Sequence, residues 1–230
     1  MLNTNLKNNF KKVAQLKMIQ NQRKRGKFIT LEGMDGAGKS THIPRIIELI
    51  KAKGVEVIST REPGGTPLGE VLREILLHQN MCVETESLLM FAARQEHIIQ
   101  VILPALHRGA YVVSDRFTDA SYAYQQGAKG LSLAKIQVLE NWVQGDIDAE
   151  NSLQPDMTLL FDVPVEVSLA RLKNARDPDK FEQENVDFFV KIRNAYLRRA
   201  EQFPQRIKII NANQALDQVK VSVEKIIATL

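Results

Sequence analysis

The chain has 230 residues, 44% apolar and 25% charged, which excludes wholesale disorder and suffices for one domain whose core needs no disulfide or metal. Its single cysteine, Cys82, excludes an internal disulfide or a cysteine-based zinc cluster and fits a reducing, cytoplasmic compartment. No run of about 18 apolar residues occurs, so no membrane span or membrane partner is predicted. The net charge of +4 is uneven: residues 1–31 hold Lys7, Lys11, Lys12, Lys17, Arg23, Lys24, Arg25 and Lys27 and no acid, so the rest of the chain carries −4. The basic character therefore sits in an N-terminal extension, and no nucleic-acid partner is predicted for the body.

In that extension Leu2, Leu6, Phe10, Val13, Leu16 and Ile19 recur at near-helical spacing. An amphipathic helix for an anionic surface is one reading; a flexible basic arm, or an upstream start with Met18 as an internal alternative, is the plainer one. The segment lacks the apolar core and cleavage site of a secretory signal. Residues 1–26 are read as the extension and 27–230 as the domain.

A first strand is predicted at 28–31, ending in Gly33, followed by a glycine-rich loop and an apolar periodic helix over 43–50. Pro44 is tolerable there only near the first turn. Gly54 ends the helix, 55–59 reads as a second strand, and 61–67 as a Pro/Gly loop. Helical patterns cover 68–78, 84–107, 118–125, 132–144, 165–174, 184–202 and 214–228, and further strands read at 111–114, 157–161 and 207–210. The charged stretch 173–184 reads as a mobile loop. Apolar strands alternating with longer helices predict an α/β fold, a five-stranded parallel sheet flanked by helices on both faces. The four histidines show no HExxH spacing and read as helix-surface or core residues.

Gly33-Met-Asp-Gly-Ala-Gly-Lys39-Ser40 fits G-x-x-x-x-G-K-[ST] between a strand and a helix. Glycines let successive N–H groups curl inward as an anion nest, and the helix N-terminus adds partial positive charge. Lys39 supplies a point charge for a transferring phosphate, and the Ser40 hydroxyl can ligate Mg²⁺. Asp115 closes the third strand, where ligands of parallel sheets bind; it can hold Mg²⁺ or its water. Arg116, next in sequence, can clamp a second phosphate with its fork, and Arg61 lies at the same rim. No N-K-x-D base-reading tetrad occurs. Such a cradle implies a nucleotide without naming the reaction.

Residues 28–41, Arg61-Glu-Pro-Gly-Gly-Thr66, Leu88-Leu-Met-Phe-Ala-Ala-Arg94, Ser114-Asp-Arg-Phe117, Ala123-Tyr-Gln125 and Phe181-Glu-Gln-Glu184 together resemble the bacterial form of thymidylate kinases, in order and over about 27–230. The resemblance implies a three-layer P-loop NTPase fold with a lid at about 173–184, and transfer of the γ-phosphoryl group of ATP, with Mg²⁺, to dTMP to give dTDP. It places ATP on Gly33, Met34, Asp35, Gly36, Ala37, Gly38, Lys39, Ser40 and Thr41. Asp35 would approach the dTMP sugar and phosphate, Arg61 and Arg116 the phosphate, Arg94 and Ser121 the thymine ring, and Tyr124 the deoxyribose. Where the family usually stacks a Phe on thymine, this chain has Met90, with Phe91 beside it; a one-residue step is about 100° of helix, so either can cover the base. Gly36 and Ala37 are not basic, a pattern that in the family passes the assisting charge to lid arginines. Here the lid offers Arg176 and, where an Arg is common, Lys180, a point charge rather than a fork. The family also implies a homodimer through the long helices. Another nucleotide kinase on the same fold, and a P-loop switch without acceptor chemistry, are the alternatives.

Overall fold

A computed structural model of the chain describes residues 25–145, 152–172, 180–182 and 184–230. The extension, apart from Arg25 and Gly26, and the lid positions 173–179 and 183 lie outside the described residues.

Five strands, β1 (Phe28–Glu32), β2 (Val57–Arg61), β3 (Tyr111–Asp115), β4 (Met157–Asp162) and β5 (Ile207–Asn211), form one sheet in the order β2-β3-β1-β4-β5 with every pairing parallel. Side chains alternate across it. Ile29, Leu31, Val113, Leu159 and Phe161 join a core completed by helices α1 (Lys39–Lys51) and α9 (Leu216–Ile227). Phe28 and Val112 point the other way, into a cluster with Phe91, Ile98, Ile102, Leu106, Phe117 and Ile136. Every residue of β1 is buried, as a central strand covered on both faces requires. The chain builds one side of β1 first and then the other, so the carboxyl ends of β1, β3 and β4 bound a crevice at a topological switch point.

The remaining helices are α2 (Pro67–His78), α3 (Val83–His97), α4 (Leu103–His107), α5 (Thr118–Ser121), α6 (Leu133–Gln144), α7 (Val165–Leu172) and α8 (Val186–Gln202). Three departures from the sequence reading have physical causes. The second strand lies at Val57–Arg61, two residues later than predicted, because pairing with β3 rather than apolarity sets its ends: Val57 meets Tyr111 and Arg61 meets Asp115. The first helix begins at Lys39, so Pro44 lies in its interior, past the first turn. The long helix predicted over 84–107 is interrupted: a π-helical stretch, Ile98–Ile102, separates α3 from α4, just before Pro104, which has no N–H to continue a regular ladder. A second π stretch, Tyr122–Ala128, continues α5. There Gly127 packs so closely on α8 that an added Cβ would come within 2.5 Å of the Ala195 Cβ.

Candidate active site

The phosphate loop joins β1 to α1 and is braced from outside by α7. At Gly36, φ is +77° and an added Cβ would lie 2.6 Å from the Ser168 carbonyl oxygen, so both conformation and space require glycine. Ser168 donates its hydroxyl to the Asp35 carbonyl, and Arg171 Nη1 donates to the Gly36 carbonyl at 3.3 Å. Lys39 is buried and folded back on the loop, its Nζ donating to the carbonyls of Gly33 (3.0 Å) and Met34 (2.9 Å). Burial and the nearby Arg116 lower its pKa, against the pull of Asp35 and Asp115. Ser40 donates to Asp115 Oδ2 at 3.3 Å, while the buried Oδ1 has no partner among the described residues.

Arg116 follows β3 with φ +73°, a left-handed conformation uncommon outside glycine. Its Nη2 donates to Asp35 Oδ1 (2.7 Å) and the Tyr124 hydroxyl (3.0 Å), and its Nη1 to the Tyr196 hydroxyl (3.0 Å). Tyr124 in turn donates to Asp35 Oδ2 at 2.9 Å. Burial alone would raise the Asp35 pKa, but Arg116 and Lys39 outweigh it and hold the carboxyl below the ordinary range. Beneath this set Tyr196 donates to Glu32 Oε2 (2.8 Å) and the Phe117 N–H to Glu32 Oε1 (2.7 Å). Burial first, then the charge of Asp119, pushes Glu32 up to about 8, with Arg116 and Tyr196 opposing.

Asp35, Arg116 and Tyr124 share one cavity with a second polar group, Glu62, Arg94 and Ser121. Arg94 is 3% exposed, with its guanidinium between the rings of Phe91 (4.5 Å) and Phe117 (5.1 Å). Its Nε donates to Glu62 Oε2 at 2.7 Å and its Nη2 to Ser121 Oγ at 3.1 Å, whereas the buried Nη1 has no partner among the described residues. His97, also fully buried, holds the other oxygen of Glu62 through Nδ1 (2.8 Å) and meets Thr60 Oγ1 through Nε2 (2.6 Å). Burial pushes Glu62 up, but Arg94 and His97 overcome it and the pKa falls. Pro63, Leu77, Met90, Phe117, Ala120 and Phe181 wall the cavity, and Arg73 and Gln125 complete it.

The residues singled out in the sequence separate into those the fold brings together and those it does not. Asp35, Met90, Arg94, Arg116, Ser121 and Tyr124 line the one cavity. Met90 is on its wall, while Phe91, 2% exposed, lies in the core beneath Arg94. Arg61 does not line the cavity; its side chain is 55% exposed and pairs with Glu70 at 2.8 Å. Lys180 has its ammonium on Glu86 (3.0 Å) and the Gln79 carbonyl (2.9 Å), and Arg176 lies outside the described residues. Glu62, Arg73, Gln125 and Phe181 were given no role from sequence. Gln125 and Glu62 stand inside the quoted motifs, so position was legible; their task depends on partners 32 and 39 residues away.

A family model described as thymidylate kinase matches residues 31–223. The thymidylate kinase of Methylobacillus flagellatus is 63% identical over 199 residues, covering 86% of this chain and 95% of that one. That of Cupriavidus metallidurans is 59% identical over 206 residues, covering 90% and 100%. The crystal structure of thymidylate kinase from Ehrlichia chaffeensis superimposes with a TM-score of 0.70 at 30% identity, over 89% of this chain and 99% of that one. With a parallel sheet of the P-loop kind, a phosphate loop in place and matches of this extent, the chain belongs to the thymidylate kinase family.

Proposed function

We propose that the cavity holding Arg116 and Arg94 is the dTMP site of this kinase, and that the loop over Gly33–Thr41 holds ATP beside it. The observation that carries the reading is the shared cavity: a cation group, Arg116 with Asp35 and Tyr124, and a buried guanidinium whose Nη1 is unpartnered among the described residues, Arg94, face the same space. A nucleoside monophosphate offers a dianion to the first and a base carbonyl to the second. Arg116 would exchange Asp35 for the acceptor phosphate, Tyr124 would pack on the sugar, and Met90, Leu77 and Phe181 would cover the base. Arg61, at the same strand end, is 55% exposed and would need to leave Glu70 to reach the phosphate.

An oxygen of the acceptor phosphate is the nucleophile and needs little general-base help, so catalysis is positioning plus charge neutralisation. Lys39 leaves the Gly33 and Met34 carbonyls for the transferring group. The orphaned Asp115 Oδ1 and the adjacent Ser40 hydroxyl suit a hard cation. They would hold Mg²⁺, which when bound neutralises charge on the ATP phosphates. With Lys180 docked on Glu86, Arg176 would be the lid arginine that assists transfer, and Arg171 stands at the loop itself. Residues 27–230 form the catalytic domain, with 173–184 as its lid. ADP release should require dTMP, and in a panel of dTMP, dUMP, dCMP, UMP and AMP the first should lead; release without any acceptor would identify an ATPase or switch instead.

Two copies are inferred to pair through α3 and α6. Leu88 (54% exposed), Leu133 (53%), Val138 (65%) and Trp142 (78%) stand out from these helices, and the shallow groove between them is almost wholly apolar. Sedimentation as a monomer at micromolar concentration would overturn the pairing.

A further inference from the structure

Glu86, on α3, is fully buried, and in the mechanism above it serves only to hold Lys180. Its Oε2 takes the ammonium groups of Lys129 (2.8 Å) and Lys180 (3.0 Å). Its Oε1 accepts from Gln125 Nε2 at 2.9 Å. Gln125 lines the cavity, is 2% exposed, and its Oε1 has no hydrogen bond among the described residues.

A carboxylate only accepts, so Glu86 compels Gln125 to turn its NH2 away from the cavity. The amide is planar, and its carbonyl oxygen is then the atom left for a ligand. With the open Nη1 of Arg94, the cavity presents one donor and one acceptor. That pair matches the O4 carbonyl and N3–H of a thymine or uracil imide. It opposes the 4-amino group and bare N3 of cytosine at both atoms.

We propose that Glu86 is a positioning residue that sets acceptor-base selectivity: through Gln125 it fixes the cavity for a 4-keto pyrimidine and against a 4-amino one. This rests on the reading that the base lies against Arg94. The two lysines make the idea sharp. In Glu86→Gln they draw the new carboxamide's oxygen to their side, leaving its NH2 to face Gln125. Gln125 then turns over, and a donor replaces the acceptor in the cavity.

The test compares kcat and KM for dTMP and dCMP in the wild type, Glu86→Gln, Glu86→Asp, Gln125→Ala and the double variant Glu86→Gln/Gln125→Ala. Glu86→Gln should lower the dTMP/dCMP ratio of kcat/KM by about tenfold or more, through a raised KM for dTMP and a lowered KM for dCMP, with kcat for dTMP within about threefold. Glu86→Asp keeps the charge but draws the carboxylate back from the amide, so the KM for dTMP should rise while that for dCMP stays put. In the Gln125→Ala background, Glu86→Gln should leave the ratio unchanged, since the residue it acts through is gone. An unchanged ratio in folded Glu86→Gln, or a further change in the double variant, overturns the proposal. If Glu86→Gln does not fold, an unchanged KM for dTMP in Glu86→Asp overturns it. Arg94→Lys separates the two readings: an unchanged KM for dTMP there removes the base site itself, whereas a raised KM beside an intact Glu86→Gln ratio removes only the role of Glu86.

Discussion

Eight consecutive residues, Gly33 to Ser40, make the phosphate loop, whereas the acceptor cavity draws on the ends of β1, β2 and β3, on α2 and α3, and on the π stretch after α5. The loop's polar groups are backbone N–H donors and one lysine that rests on the loop's own carbonyls. The cavity's groups are side chains locked by distant partners: Arg94 by Glu62 and Ser121, Glu62 by His97, Gln125 by Glu86. One set of groups is written locally in the chain; the other is assembled at long range, each side chain held by a partner distant in sequence. Preorganisation of that kind lowers the ordering cost of binding.

Substitutions at each site should break this contrast in different ways. Lys39→Ala should give the largest effect, a loss of about 10²–10³ in kcat, with the melting temperature measured beside it because the lysine also donates to the Gly33 and Met34 carbonyls. Arg94→Lys keeps the charge but loses the fork that spans Glu62 and Ser121. Its KM for dTMP should rise by about 10- to 100-fold with a smaller change in kcat, the signature of binding made equally in ground and transition states. Tyr124→Ala should collapse the preference for deoxyribose over ribose by about tenfold, measured as the dTMP/ribo-TMP ratio of kcat/KM; an unaltered ratio with lowered stability would reduce Tyr124 to packing.

The smallest effect concerns pH. Glu32 has a folded pKa raised by burial and Asp119 from 4.5 to about 8, so the folded protein binds more protons than the unfolded chain between those values. Its contribution to stability is fully present below pH 4.5 and declines as the pH rises through about 8. Glu32→Gln should flatten that part of the melting-temperature profile between pH 5 and 8; an unchanged slope would assign it to other groups.

This contrast also explains what could be read in advance. The phosphate loop was legible because its chemistry lies in one contiguous string, and the parallel sheet because apolar strands alternate with periodic helices. Which of Met90 and Phe91 faces the cavity was not, since it depends on the rotation of α3, and Phe91 packs beneath Arg94 while Met90 lines the wall. The roles of Glu86 and Glu62 were hidden for a similar reason. On a helix or after a strand a lone glutamate reads as solvated, and only the partners the fold brings to it reveal otherwise. Lys180 shows the same dependence: a cation in a basic loop suggests a phosphate, and only the fold places a buried carboxylate beside it.

The exposed stripe on α6 has a practical consequence for spectroscopy. Trp142 is the chain's sole tryptophan and stands 78% exposed, four residues on from Val138 on the apolar face. Its emission should therefore be red-shifted in dilute protein and move to shorter wavelength as concentration rises and a second copy covers the indole. Nucleotide titrations at fixed concentration should leave that emission still, because Trp142 does not line the acceptor cavity. Under the pairing proposed above, the same fluorophore should report assembly and stay silent on turnover, so that the two processes could be followed in one cuvette.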